Sequence, residues 1–281
     1  MPIPSASAVE VSPSGADRAE SSKASAPAPV SKVVQRMGGD AAAACGAAAG
    51  VAPFITVIDR SIIKAANGSQ PLFEGIVTGF KQMVLAPHRF VLGRDFRLIF
   101  GLYAATYLSA NWAITLCEWK RVSDEIPKFV SSSVTNLLLC VRKDAIFATI
   151  FGTRVSAFPP ASYALFFLRD AMTMAASFNA PPHISNFIKK TNPEIGKSTA
   201  DNIAQMACPV GIQTISTPIH LVALDLFNRP AATAAQRVGF IGSTYFSMVS
   251  ARMARIAPAF GIGGILNRQI RTHFVDSIGD L

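Results

Sequence analysis

Charged and polar side chains inside otherwise apolar segments are the residues most able to carry chemistry in this chain. The candidates are Asn111, Arg169, Asp170, His220, Asp225, Arg252 and Arg255, and Asp59–Arg60 and Arg142–Lys143–Asp144 share their setting. A charge alone at the centre of a bilayer costs about 2.5–3.5 kcal/mol, whereas each leucine or isoleucine contributes only about 0.3–0.6 kcal/mol to insertion. Such groups must therefore pair, face a wet cavity or lie at an interface.

Two interpretations of these charges follow. Arg252 and Arg255 are three residues apart and share one helical face, so with Arg169 they could line a cavity that favours a small anionic solute. Alternatively, Asp170 or Asp225 pairs with Arg252 or Arg255 and fixes the register of neighbouring helices. The sequence leaves both open.

Two polar features are open to a structural or a functional interpretation. His220 follows Pro218 by two residues, so its ring could bond the carbonyl that the proline leaves without a donor. Tyr103, Tyr107 and Asn111 recur at every fourth residue and form one stripe on a helix. That stripe could line a cavity or hold two helices together.

The composition indicates that lipid, not water, surrounds most of the chain. Of the 281 residues, 50% are hydrophobic and 15% charged, and the mean hydropathy is +0.35. Six apolar stretches occupy residues 41–63, 97–117, 129–151, 157–178, 203–227 and 238–264. Each is near the roughly 20 residues that cross a hydrocarbon core of about 30 Å. We therefore predict an all-α integral membrane bundle of about six transmembrane helices.

Within that bundle, local patterns predict several details. Gly46 and Gly50 form a GxxxG pattern that marks either a packing face or merely an Ala/Gly-rich composition. Residues 64–96 include an amphipathic stretch typical of a helix at the membrane surface. The fifth spanning helix is expected to kink after Pro218.

The domain organisation predicted from composition has three parts. Residues 1–38 are rich in Ser, Ala and Pro and are expected to form a disordered tail. Residues 39–272 form the membrane domain, and 273–281 a C-terminal tail.

The charge and the motifs exclude several classes of function. The net charge of +9 is spread over single and paired basic residues, which suits anionic membrane lipids better than nucleic acid. The four cysteines have neither CxxC nor histidine spacing and are expected to be apolar packing residues. No catalytic motif is present, so we predict a protein that is not an enzyme, with no metal and no cofactor.

A weak threefold pattern gives the chain a resemblance to a known family. Asp59, Lys143 and His220 occupy similar places in the odd-numbered segments, at offsets of 84 and 77 residues. Three two-helix repeats and a basic composition resemble the mitochondrial carrier fold. Carriers place Pro-x-Asp/Glu-x-x-Lys/Arg on each odd helix, but here only Pro218 keeps the proline and only Asp59 the acid. The carrier gate therefore cannot form in its usual way.

Longer stretches, such as "YALFFLRDAMTMAASFN" and "TPIHLVALDLFNRP", resemble a family of uncharacterised fungal membrane proteins thought to be mitochondrial. The resemblance covers about residues 40–272 and implies a divergent carrier-like, multi-pass protein of the mitochondrial inner membrane. It implies no reaction and no ligand; the three-unit pattern and the inward cations favour transport of a small anionic metabolite. The alternative is a membrane scaffold or assembly factor that has kept the carrier fold without transporting.

Overall fold

The computed structural model describes residues 28–152, 158–256, 258–279 and 281. Those ranges are helical and contain no strand, which confirms the all-α prediction. The helices are α1 (Val30–Ala66), α2 (Leu72–Leu85), α3 (Pro87–Val91), α4 (Arg94–Lys120), α5 (Glu125–Phe151), α6 (Pro160–Thr191), α7 (Lys197–Gly211), α8 (Gln213–Asn228), α9 (Ala234–Ala254) and α10 (Gly264–Ile278), with a π-helical segment at Pro258–Gly263.

The first four predicted apolar stretches lie almost entirely in single long helices where the structure describes them, whereas residues 203–227 are divided between α7 and α8 and residues 238–264 extend beyond α9. Two helical stretches, Val30–Ala66 and Lys197–Asn228, are long and apolar enough to cross a membrane. The helix ends differ from the prediction. Helix α1 begins at Val30 and α10 continues to Ile278, so helix extends beyond the predicted domain bounds at residues 39 and 272. Residues 1–27 of the predicted tail lie outside the described part.

Helix α1 forms the centre of the bundle and packs most extensively against α4 and α10. Its alanine-rich first half has almost no side-chain bulk, so neighbouring helices approach it closely. A Cβ atom at Gly46 would lie 2.6 Å from Cδ1 of Ile270, and one at Gly50 would overlap Leu266. Both contacts are to α10, so the GxxxG pattern marks a packing face.

We expect Gly50→Leu to destabilise the protein by about 1–3 kcal/mol, because a larger side chain in a close-packed interface forces the helices apart. Gly101→Leu is the matched control, since a Cβ at Gly101 in α4 meets nothing within 4 Å. Thermal unfolding in detergent measures both. Equal unfolding temperatures for the two variants would contradict the α1–α10 interface.

The break in the fifth predicted span lies before the proline. Helix α7 ends at Gly211 and α8 begins at Gln213, whereas α8 runs through Pro218 without interruption. Pro218 has no N–H for the carbonyl of Thr214, and the Tyr245 hydroxyl of α9 donates to that carbonyl instead, at 3.0 Å. The helix is therefore interrupted before Pro218, a neighbouring helix supplies the donor that the proline removes, and a bend after Pro218 stays a prediction.

The packing partner of the chain changes between α9 and α10, which are joined by the π-helical segment. Helix α9 packs against α8, and α10 packs against α1. In the π-helical segment, the Tyr107 hydroxyl of α4 donates to the Ala259 carbonyl at 3.2 Å. The change of partner places Arg252 and Arg255, at the end of α9, beside the middle helices of the bundle.

The amphipathic stretch between residues 64 and 96 is helical, as predicted, and forms α2 and α3. Large apolar side chains such as Phe73, Val84 and Leu85 are exposed there. A membrane surface would cover these side chains. The location of α2 and α3 at the membrane surface remains a prediction.

Candidate functional site

Eight side chains from five parts of the bundle meet in what we call the ionic cluster. They are Asp59 of α1, Lys143 and Asp144 of α5, Arg169 and Asp170 of α6, His220 of α8, Arg252 of α9 and Arg255 just after it. Six of the eight are buried, and only Asp170 and Arg255 keep some exposure. Buried charges of this kind are stable only when they are paired.

Lys143 joins the two carboxylates at the centre of the ionic cluster. Its Nζ lies 2.7 Å from Oδ2 of Asp59 and 2.5 Å from Oδ1 of Asp144. Asp59 also accepts from Nη1 of Arg255, at 2.6 Å. Helices α1 and α5 and the end of α9 are therefore held together by charge.

Arg169 extends the ionic cluster to α6 and α8. Its Nη2 lies 2.6 Å from both Asp144 Oδ2 and Asp170 Oδ1. Its Nη1 lies 2.8 Å from Nδ1 of His220. Because a guanidinium can only donate, Nδ1 of His220 accepts, and the imidazole is neutral with its proton on Nε2. The predicted bond from His220 to its own helix backbone is therefore replaced by a bond to α6.

Arg252 differs from the other three cations. Among the described residues no carboxylate lies within 4 Å of its guanidinium, and its one hydrogen bond is from Nε to Oε1 of Gln213, at 3.1 Å. Four cations and three aspartates give the ionic cluster a formal charge of +1 with His220 neutral. The excess positive charge is therefore located at Arg252.

A small cavity lies inside the ionic cluster. It has a volume of about 10 Å³ and is lined by Asp59, Ile62, Ile63, Asp144, His220, Arg252 and Arg255. That volume holds about one water molecule. The site is therefore closed in this conformation, with both carboxylates and unpaired Arg252 at its wall.

The candidates predicted from sequence divide into two groups. Arg169, Asp170, His220, Arg252 and Arg255 come together in the ionic cluster, but the predicted pairing of Asp170 or Asp225 with Arg252 or Arg255 is wrong. Asp170 pairs instead with its neighbour Arg169, whose Nη2 lies 2.6 Å from Oδ1 of Asp170.

Asp225 and Asn111 lie elsewhere. Asp225 pairs with Arg229 and Arg237, which flank the α8–α9 connection. Next to that connection is an open groove of about 780 Å³, lined by residues such as Arg229 and Phe240. None of the side chains that line the groove belongs to the ionic cluster.

Asn111 belongs to a second buried network, which we call the terminal clamp. Its members are Arg36 and Asp40 of α1, Asn111, Thr115 and Glu118 of α4, and Asn267 and Arg271 of α10. The amides of Asn111 and Asn267 exchange two hydrogen bonds, at 2.9 and 3.0 Å. The polar stripe on α4 therefore holds helices together at Asn111.

The terminal clamp and the ionic cluster lie at different levels of α1. At about 1.5 Å of rise per residue, Asp40 and Asp59 are about 28 Å apart along the helix. That separation is close to the thickness of a hydrocarbon core of about 30 Å. The clamp is balanced, with Arg36 and Arg271 facing Asp40 and Glu118.

The sequence analysis noted Asp59, Lys143 and Asp144 as charges inside apolar stretches but did not include them among the candidate site residues. The aligned positions Asp59, Lys143 and His220 also meet in the ionic cluster.

Long apolar helices and buried charges held in ion pairs are features expected of a chain that crosses a membrane. The model of the probable citrulline exporter family matches residues 42–275. The chain belongs to that family of membrane transporters for a small metabolite. No curated protein and no solved structure matches the chain.

The family overturns the resemblance to mitochondrial carriers and their uncharacterised fungal relatives, because the matching model is that of the exporter family and no carrier family matches. The geometry is consistent with this correction. Asp59 and Lys143 pair directly, and Arg169 of an intervening helix pairs with Asp144. The residues aligned on the carrier signature therefore belong to a different arrangement of charges.

Proposed function

We propose that the protein exports citrulline or a closely similar neutral amino acid across a membrane and that the ionic cluster is its binding site. The observation that carries the proposal is a buried polar site with one excess positive charge inside a member of the citrulline exporter family. Citrulline carries a carboxylate, an ammonium group and a neutral ureido side chain. The ionic cluster offers partners for all three, so a neutral zwitterion takes the place of the small anionic solute expected from sequence.

Transport requires the closed site to open. A cavity of about 10 Å³ cannot hold an amino acid, so helices around the ionic cluster must separate before citrulline enters. Ion pairs between helices suit that task, because the charged groups of the substrate can replace a partner in each pair. Irregular backbone lies next to both residues, at Ile212 immediately before Gln213 and at Pro258–Gly263 after the helix that carries Arg252.

Proteoliposomes loaded with radiolabelled citrulline test the proposal. We expect the reconstituted wild-type protein to release the label faster than protein-free vesicles, with saturation as citrulline rises. Lys128→Gln is the matched control and should keep wild-type efflux, because in the described part of the chain Lys128 pairs only with Asp124, on the exposed surface. Release no faster than from empty vesicles would contradict the proposal and support the non-transporting scaffold instead.

We further propose that the protein is located in the mitochondrial inner membrane. The excess of 26 basic over 17 acidic residues suits a membrane rich in anionic lipid. Fractionation of cells that express a tagged full-length chain should place it with inner-membrane markers and keep it in the pellet after carbonate extraction. Recovery with plasma-membrane markers would overturn the assignment.

A further inference from the structure

Arg252 is a buried cation without an anionic partner in the part of the chain that the structure describes. The other cations of the ionic cluster, Lys143, Arg169 and Arg255, each have a carboxylate oxygen within 2.7 Å. Arg252 is only 3% exposed. An uncompensated buried charge is unfavourable, so its presence at this place requires an explanation.

The orientation of the Arg252 side chain leaves the two terminal nitrogens of its guanidinium free among the described residues. Its Nε donates to Oε1 of Gln213, while neither terminal nitrogen has a hydrogen-bond partner among the described residues. Gln213 is itself fixed, because its Nε2 donates to the Pro209 carbonyl at 3.0 Å and its Oε1 also accepts from Ser216 at 3.3 Å. The Gln213 amide oxygen therefore holds the guanidinium in place. Its two terminal nitrogens remain available, and such a pair of nitrogens can bind both oxygens of one carboxylate.

The cavity places the complementary charges close by. Arg252, Asp59 and Asp144 line the same small space. In an α-amino acid the ammonium group is one carbon from the carboxylate, so a carboxylate on Arg252 would bring the ammonium group toward the aspartates. A ligand with only a cationic group would meet Arg252 with no partner for it.

We propose that Arg252 binds the carboxylate of the transported amino acid and that Gln213 positions its guanidinium for that contact. This inference rests on the proposed function. It assigns the excess charge of the ionic cluster to substrate recognition. The transported compound must then carry a carboxylate. The rest of the compound meets neutral or acidic groups of the protein.

The test compares citrulline with its decarboxylated analogue, N-carbamoylputrescine, which keeps the ureido group and the amine. Proteoliposomes containing the full-length wild-type protein should prefer citrulline by about 10- to 100-fold in the ratio of rate to KM, the range of one charge-assisted interaction. Arg252→Gln should reduce that preference to near unity. If Arg252→Gln folds poorly, Arg252→Met, which keeps the aliphatic part of the side chain, provides a second measurement of the same preference.

Arg255→Gln is the matched control. Arg255 lies three residues away and already pairs with Asp59, so its loss should slow both compounds and leave the preference for citrulline in place. A preference kept by either Arg252 variant, or lost equally in Arg255→Gln, overturns the assignment. Failure of the wild-type protein to move either compound is a different result, which refutes the proposed function itself.

Discussion

Asp144→Asn is expected to yield little folded protein and no citrulline efflux. The Asp144 carboxylate lies 2.5 Å from the Lys143 ammonium group and 2.6 Å from the Arg169 guanidinium. Its removal raises the formal charge of the ionic cluster from +1 to +2 with the remaining groups still buried. Breaking a buried pair by removing one partner costs about 3–5 kcal/mol, a large part of the stability of most proteins.

Asp124→Asn is the matched control for Asp144→Asn. Asp124 pairs with Lys128 on the exposed surface, at 3.5 Å, where an ion pair of this spacing contributes about 0.3–0.5 kcal/mol. Yield of monodisperse protein and thermal unfolding in detergent measure both variants. If Asp144→Asn unfolds at the same temperature as Asp124→Asn, the ionic cluster does not hold the bundle together.

Asp40→Asn is expected to loosen α10 from the rest of the bundle. Asp40 accepts from the Thr115 hydroxyl at 2.5 Å and from Nε of Arg271 at 2.9 Å. Hydrogen bonds to charged groups contribute about 1.5–3 kcal/mol each when they are well formed. The neutral amide weakens both bonds, so amide hydrogen exchange in α10 should become at least tenfold faster.

The control for Asp40→Asn is on α10 itself. Asp276 is an exposed carboxylate with no hydrogen bond or ion pair among the described residues, so Asp276→Asn should leave exchange in α10 unchanged. Exchange that is equally slow in both variants would show that the apolar contacts of α10 with α1 hold it without the terminal clamp.

The all-α class was predictable from the sequence, because a long apolar stretch in lipid satisfies its backbone hydrogen bonds most simply as a helix. The ends of the helices were less predictable. Val30–Gly38 carries polar residues typical of a tail, yet Arg36 donates to the carbonyls of Val275 and Gly279 and fixes that turn against α10. A contact between residues so distant in sequence leaves no local signal.

The site was predictable in its residue types and less so in its partners. The free-energy cost of placing a charged or polar side chain in an apolar environment identified Arg169, His220 and Arg252 as residues that need partners. The cost of burial could not show which partner Asp225 would have. Asp225 pairs with Arg229 and Arg237, which follow the end of its own helix and lie closest to it in space. The pairing of Asp59 with Lys143 and Arg255 depends on the packing of α1 against α5 and α9, which no periodicity encodes.

A structure determined with citrulline in excess tests the central claim most directly. We expect an opened ionic cluster with citrulline density in contact with the Arg252 guanidinium and flanked by Asp59 and Asp144. An unchanged, closed ionic cluster with citrulline bound at another place in the bundle would contradict the account.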